Sequence, residues 1–244
     1  MRKIQKQQPP ADVSIQPPPR SWGQAAAELK AELESAPADE RIELARNRFD
    51  GIKKSVVREA LGREQDALCI FCERRVDPGH GADADANGCR IAHWKPLSAL
   101  PAGALDWRNV YLSCNGKWGS GASTCDQAQG DKDPLLDPPA ERDWGAQLHF
   151  NLDGRVWPTE GAVPPLRAAI PAPPGEGLWN LNHLSLVAAR KAAIDFEFDK
   201  AREQRDLTRE PKRKVVERRL ERLDRHPLQA FTTGVRQVLA RWAR

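Results

Sequence analysis

The sequence predicts an α+β chain in which a small, cysteine-bracketed β-core sits within a mainly helical scaffold. Three observations carry this. Apolar residues recur at helical spacing near both ends of the 244-residue chain. Two short β-prone runs, "CRIAH" and "VYLSC", occupy its middle. Three of the five cysteines flank those runs and the other two stand at their ends.

The elements follow in chain order. Residues 1–20 carry "QQPP" and "QPPPR". Proline fixes φ and lacks an N–H donor, so this stretch is expected to be an extended arm that is not packed. Residues 21–62 are expected to form two helices. "SWGQAAAELKAELESA" is rich in Ala, Leu and Glu. A second helix is expected to start after Asp39 as N-cap and to end at Gly62, with Ile42, Ala45, Phe49, Ile52, Val56 and Ala60 on one face and Gly51 a mild penalty inside it. Residues 63–140 hold the cysteine-rich core. Residues 141–175 hold a hairpin, "LHFNLDGRVW", turning at Asp-Gly, and a proline-rich linker. Residues 176–244 form a basic helical region. Its first helix is expected from about Asn180, with Leu181, Leu184, Val187, Ile194 and Phe198 facing inward, and two more helices follow.

Composition narrows the function classes. No run of eighteen apolar residues exists, so no membrane helix is expected. The N-terminus has no apolar h-region, and the chain is assigned to the cytoplasm. Five cysteines there are not a disulfide framework. Net charge is +4, but from His183 onward sixteen Lys/Arg face nine Asp/Glu. Such a surface suits nucleic acid, or is simply a solvated helix face.

"CIFC" places Cys69 and Cys72 at the C-x-x-C spacing that supplies half of a tetrahedral zinc site. Cys114 and Cys125 are the favoured other half, because the Gly/Ser-rich "NGKWGSGAST" between them can loop out. Cys89 is the spare, able to exchange with Cys114 or to be buried as a small apolar residue. Four thiolates leave no open coordination position, so such a zinc is structural.

Between these cysteines the order reads strand, loop, strand, helix. His93 ends the first strand and Asn109 opens the second. Here the sequence resembles the HNH endonucleases, built on a ββα-metal core, and more narrowly the PtuB-like HNH proteins of Septu-type and retron-associated anti-phage systems. The resemblance rests on "MRKI", "CIFCE", "IAHWKP", "WRNVYLSC", "CDQAQGD" and "LWNLNHLSL" in that order. It implies an α+β fold with an HNH ββα-metal core pinned by a four-cysteine zinc site. It implies that His93 is the general base, that Asn109 holds the loop, and that Asp126 binds a catalytic Mg²⁺ or Mn²⁺. It implies a nucleic-acid substrate, DNA or RNA, and a PtuA-like ATPase partner, for which the N-terminal arm is the candidate docking segment.

Three positions depart from the family pattern. Ala92 stands where an acid usually precedes the histidine, and Gln129 where a lysine contacts phosphate. Asp126, in place of the usual Asn, either restores the lost charge or leaves a weakened site. A non-catalytic zinc module that binds nucleic acid or the ATPase is therefore the alternative, with a purely structural ATPase partner as a third reading. Trp94 and Trp107 flank the site, as base-stacking platforms or as packing over the zinc turn. Asp106 and Asp131 read as turn residues, and His80 as solvated in its Gly/Asp-rich loop.

Overall fold

A computed structural model describes residues 1–15, 19–81, 88–117, 122–171, 177–225 and 227–243. Its elements are α+β: eight helices and two small antiparallel sheets among the described residues. None of these helices is long and apolar enough to cross a membrane. One apolar core runs through all of them, from Met1 and Ile4 to Val238 and Leu239.

The N-terminal stretch is extended, but it is packed, against expectation. Met1, Ile4 and Val13 are buried. The Ile4 N–H donates to Pro139 O at 2.9 Å and the Gly145 N–H to Met1 O at 2.8 Å. Prolines stop such a segment from building its own ladder, yet its neighbours can still use its carbonyls. Helix α1 (Trp22–Ser35) opens with a capping box. The Ser21 hydroxyl accepts from the Gln24 N–H, and the Gln24 side chain accepts from the Ser21 N–H. Trp22, Ala25, Leu29 and Leu33 make its buried stripe.

The single helix expected from Asp39 to Gly62 is two: α2 (Arg41–Asp50) and α3 (Lys54–Glu64). Glu40, without a side-chain cap bond, occupies the N-cap expected of Asp39. The break falls where the arm intervenes: Ser14 bridges Ile52, and the Lys53 N–H donates to Val13 O at 2.8 Å. Gly62 lies inside α3 instead of ending it. A Cβ there would lie 2.5 Å from the Pro78 ring, so its smallness serves close packing.

Strands β1 (Cys89–His93) and β2 (Val110–Cys114) pair antiparallel, with Cys89 opposite Cys114 and His93 opposite Val110. Helix α4 (Cys125–Gln129) follows. The expected order of strand, loop, strand and helix is therefore present, reaching from Cys89 to Gln129.

The second hairpin pairs β3 (Leu148–Phe150) with β4 (Val156–Pro158). Leu152 lies in the turn between them and is exposed. Within the segment read as a linker, Pro164–Ala169 form a short helix, α5, with Leu166 and Ala169 buried. Proline at the first helical positions costs no hydrogen bond. Residues 172–176 of that linker lie outside the described residues.

Helix α6 (Leu184–Thr208) begins later than expected, after Asn180 at φ +46° and with the His183 side chain as N-cap. Leu184 is exposed, and Leu186 takes the inward position. Helices α7 (Lys212–Leu223) and α8 (Thr232–Trp242) pack against α6 and each other. Much of the basic charge here is internally matched. Arg213 pairs with Glu217 at 2.9 Å, Lys214 with Glu210 at 3.3 Å, and Arg218 also with Glu210. Arg190 and Arg219 are buried, so they do not belong to a surface for nucleic acid.

Gly154 holds the second hairpin to α6. Its φ is +86°, and a Cβ would sit 2.2 Å from Val187 O. Gly154→Ala is expected to destabilise the chain by roughly 2 kcal/mol or more, since it adds both a strained φ and a backbone clash. Urea unfolding at equal zinc content checks this.

Candidate metal centre and adjoining cleft

Cys69, Cys72, Cys114 and Cys125 converge: their sulfurs all lie within 4.8 Å of one another, and all four residues are buried. A metal–sulfur bond of about 2.3 Å gives a tetrahedron with edges of about 3.8 Å, so the set fits a tetrahedral metal ion. Among the described residues it is the one group of three or more metal-type ligands that does so.

Local structure explains the convergence. Leu68 bridges Arg75, the Cys69 N–H donates to Arg74 O at 2.9 Å, and Glu73 turns back at φ +61°. The buried Gln65 amide laces this knuckle to β2. It accepts from the Leu112 N–H at 2.8 Å and donates to the carbonyls of Leu68 and Leu112, each at 2.9 Å. Cys114 ends β2 and Cys125 starts α4. The loop between them closes where the Thr124 N–H donates to Gly116 O at 3.0 Å. Gly116 has φ +69°, and a Cβ there would lie 2.6 Å from Thr124 O. Residues 118–121 lie outside the described residues. The Cys89 thiol turns away and donates to His80 O at 3.3 Å. It is not part of the set.

Burial disfavours charge in this cluster. At Cys69 that penalty is outweighed by hydrogen bonds from Cys114, Cys125 and Cys72, which hold its thiol well below the ordinary range. Burial pushes the Cys72 and Cys125 thiols well above it. A metal requires thiolates, so loading this cluster would release protons from it.

Aromatic rings wall this centre. Phe71 stacks on Trp94 at 5.8 Å, and Trp179 lies 5.4 Å from Trp94. Gln129 joins the two indoles, accepting from Trp179 Nε1 and donating to Trp94 O, each at 2.8 Å. Gln129 therefore serves the core and has no reach to a phosphate. Trp94 and Trp107 are both buried, which removes them as base-stacking platforms. Trp107 Nε1 donates to Glu64 at 2.7 Å.

The residues between His93 and Asn109 form a clamped loop. Asn109, 3 % exposed, accepts from the Lys95 N–H at 2.8 Å and donates to Lys95 O at 3.0 Å and Gly103 O at 3.1 Å. That clamp fixes the 3₁₀ turn Pro101–Leu105, whose Ala104 carbonyl lies 3.0 Å from His93 Nε2. A carbonyl only accepts, so Nε2 carries the proton and Nδ1 of the neutral ring keeps its lone pair. Phe49 packs edge-on against the ring at 4.5 Å. Burial, aided by the Lys54 charge, lowers the His93 pKa to about 4 and keeps the imidazole neutral near pH 7.

His93 borders a cleft of about 190 Å³ that is also lined by Arg46, Arg90, Pro96, Asp126 and Asp131. Asp126 is ion-paired with Arg90 at 2.9 Å, and Asp131 lies 3.8 Å from Arg46. Burial raises the Asp126 carboxyl despite Arg90. Ala92 is buried in the core, so the acid that the family pattern places there is absent from this cleft. Arg46 and Arg90 were not legible as site residues, because an isolated arginine belongs to no motif. Asp106 is a turn residue as expected, accepting from the Arg108 N–H at 2.9 Å. His80 is exposed beside Asp77.

Two outcomes follow. Purified protein is expected to bind one metal ion per chain. Cys114→Ser should lose it and Cys89→Ser should keep it, as metal analysis after gel filtration would read. The second concerns pH. The unfolded His93 takes a proton near pH 6.5 and the folded one near 4, so in that window the unfolded state binds more protons and stability falls as pH falls. Between about pH 7 and about pH 4.5 this residue should cost about 2–3 kcal/mol. His93→Gln should abolish that share of the pH dependence in urea unfolding.

Compared with known protein families and with curated proteins, the chain matches no family model and no curated protein.

Proposed function

We propose that the chain is a nuclease of the HNH kind, cleaving phosphodiester bonds in DNA or RNA, with a structural zinc ion on Cys69, Cys72, Cys114 and Cys125. The observation that carries this reading is His93. It is a neutral histidine whose Nε2 is tied to Ala104 O, whose loop is clamped by Asn109, and which borders a cleft holding two arginines. In such a site Nδ1 would take a proton from water as that water attacks phosphorus. Arg46 and Arg90 would stabilise charge on the phosphoryl oxygens.

The zinc fits the four sulfurs and would supply no chemistry, only a fixed hairpin. A catalytic Mg²⁺ or Mn²⁺ is a poorer fit. Asp126 is engaged by Arg90, and among the described residues it belongs to no group of three or more metal-type ligands. No catalytic step is therefore routed through such an ion. The same ion pair favours the second reading, a zinc module that binds nucleic acid without cutting it. The role in anti-phage defence and the PtuA-like ATPase partner rest on the sequence resemblance alone. The packing of Met1, Ile4 and Val13 into the core removes the reason for assigning the ATPase contact to the arm.

The test is cleavage of plasmid DNA and of RNA by wild type and His93→Ala, with the companion ATPase where one is encoded, with and without Mg²⁺ or Mn²⁺. Loss of activity by about 100-fold or more in the variant, with zinc content unchanged, supports the nuclease. A folded, zinc-loaded wild type that binds nucleic acid with a steep salt dependence but cuts nothing supports the binding module.

A further inference from the structure

Arg190 is a charged side chain whose burial the fold leaves unexplained. It lies on α6 and is 2 % exposed. The other buried arginine of this region, Arg219, has the Glu197 carboxylate against it. Arg190 has no such partner among the described residues: its guanidinium donates to two backbone carbonyls, Gly154 O and Leu181 O, the latter at 3.2 Å. It lies 5.6 Å from the Phe150 ring centroid and 5.9 Å from that of Phe231. Carbonyls and ring faces soften the burial of a cation but bring no formal negative charge, and an unbalanced buried ion costs several kcal/mol.

The balance lies across one small cavity. Its volume is about 10 Å³, too little for a screening water layer, and its walls include Arg190, Cys72, Phe71 and Glu73. The Glu73 carboxylate is already answered by the Met1 ammonium, 3.6 Å away, and also accepts from the Thr233 N–H at 2.9 Å and from the Thr233 hydroxyl. The remaining source is the cysteine cluster. A divalent metal on four thiolates carries a net charge of about −2, and that charge is spread over sulfurs. Burial lowers the Arg190 pKa, while Cys72, Glu73 and Cys125 oppose that effect.

We propose that Arg190 is the counter-ion of the metal–tetrathiolate centre, a positioning residue through which metal loading is coupled to the docking of α6. This rests on reading the four cysteines as a metal site. Partners just outside the ligand set typically change metal affinity by about 10- to 100-fold.

The experiment uses the full chain. Zinc transfer to a chromophoric chelator is measured for wild type, Arg190→Met, Arg190→Lys and Val156→Ala, and each is also loaded with Co²⁺ for its sulfur-to-cobalt charge-transfer spectrum. Arg190→Met is expected to give up zinc about tenfold more readily and to shift the cobalt band. Arg190→Lys keeps the charge and should stay within about threefold of wild type. Val156→Ala loosens the same cavity without changing its charge and should hold zinc as wild type does. The proposal is overturned if Arg190→Met behaves as wild type, or if Val156→Ala releases zinc as readily as Arg190→Met. Should Arg190→Met fail to fold, Arg190→Lys decides alone: retention within about threefold supports the counter-ion and a loss of about tenfold overturns it. A wild-type chain that binds no zinc at all fails the metal reading instead, which separates the two failures.

Discussion

Four sulfur atoms from three separate stretches of chain have to meet in a buried space, and most of the architecture is arranged so that they do. Cys69 and Cys72 come from a knuckle, Cys114 from the end of β2 and Cys125 from the start of α4. The backbone adapts at each point. Glu73, Gly116 and Cys125 all take positive φ, conformations that chain sterics disfavour outside glycine. Such conformations persist where tertiary contacts hold them, and here Gln65 and the Trp94–Gln129–Trp179 chain do so. A four-sulfur metal centre would convert these local costs into one shared gain.

The histidine depends on this clamp without being part of it. β1 carries His93 and is registered against β2, which the sulfurs and Gln65 pin. Asn109 then closes the intervening loop with three hydrogen bonds to backbone. The imidazole is thus oriented by a carbonyl that is itself held in place, an arrangement that leaves little rotamer freedom. The cleft beside it is less committed. Its arginines and aspartates neutralise one another pairwise, so a ligand must exchange those pairs for its own contacts.

How much of this was legible depended on whether the cause was local. The cysteine set could be read because C-x-x-C spacing and a Gly-rich insert are local facts. His93 at the end of the first strand could be read because hairpin order is local as well, whereas the hold of Asn109 on the loop was expected only from the resemblance. The break between α2 and α3 could not, since the groups that enforce it, Val13 and Ser14, lie far away in sequence. The packed arm was missed because Met1, Ile4 and Val13 follow no period. Gly62 looked like a terminator, but its smallness answers to Pro78 across the fold. Counting basic residues in the last third said nothing about which face they occupy. Arg190 and Arg219 turn inward, and Arg213, Lys214 and Arg218 are matched by glutamates.

The bond from Glu73 to Thr233 has a bearing on how the protein is made. Residue 73 belongs to the knuckle and residue 233 to the first turn of α8, so the contact spans 160 residues. A growing polypeptide therefore has its cysteine turn in solution long before the helix that Glu73 receives has been synthesised. Contacts of such long range form late in folding. A cluster that took up its metal before then would do so in a knuckle not yet tied to α8, and the supply of ions during translation would bear on which one it bound.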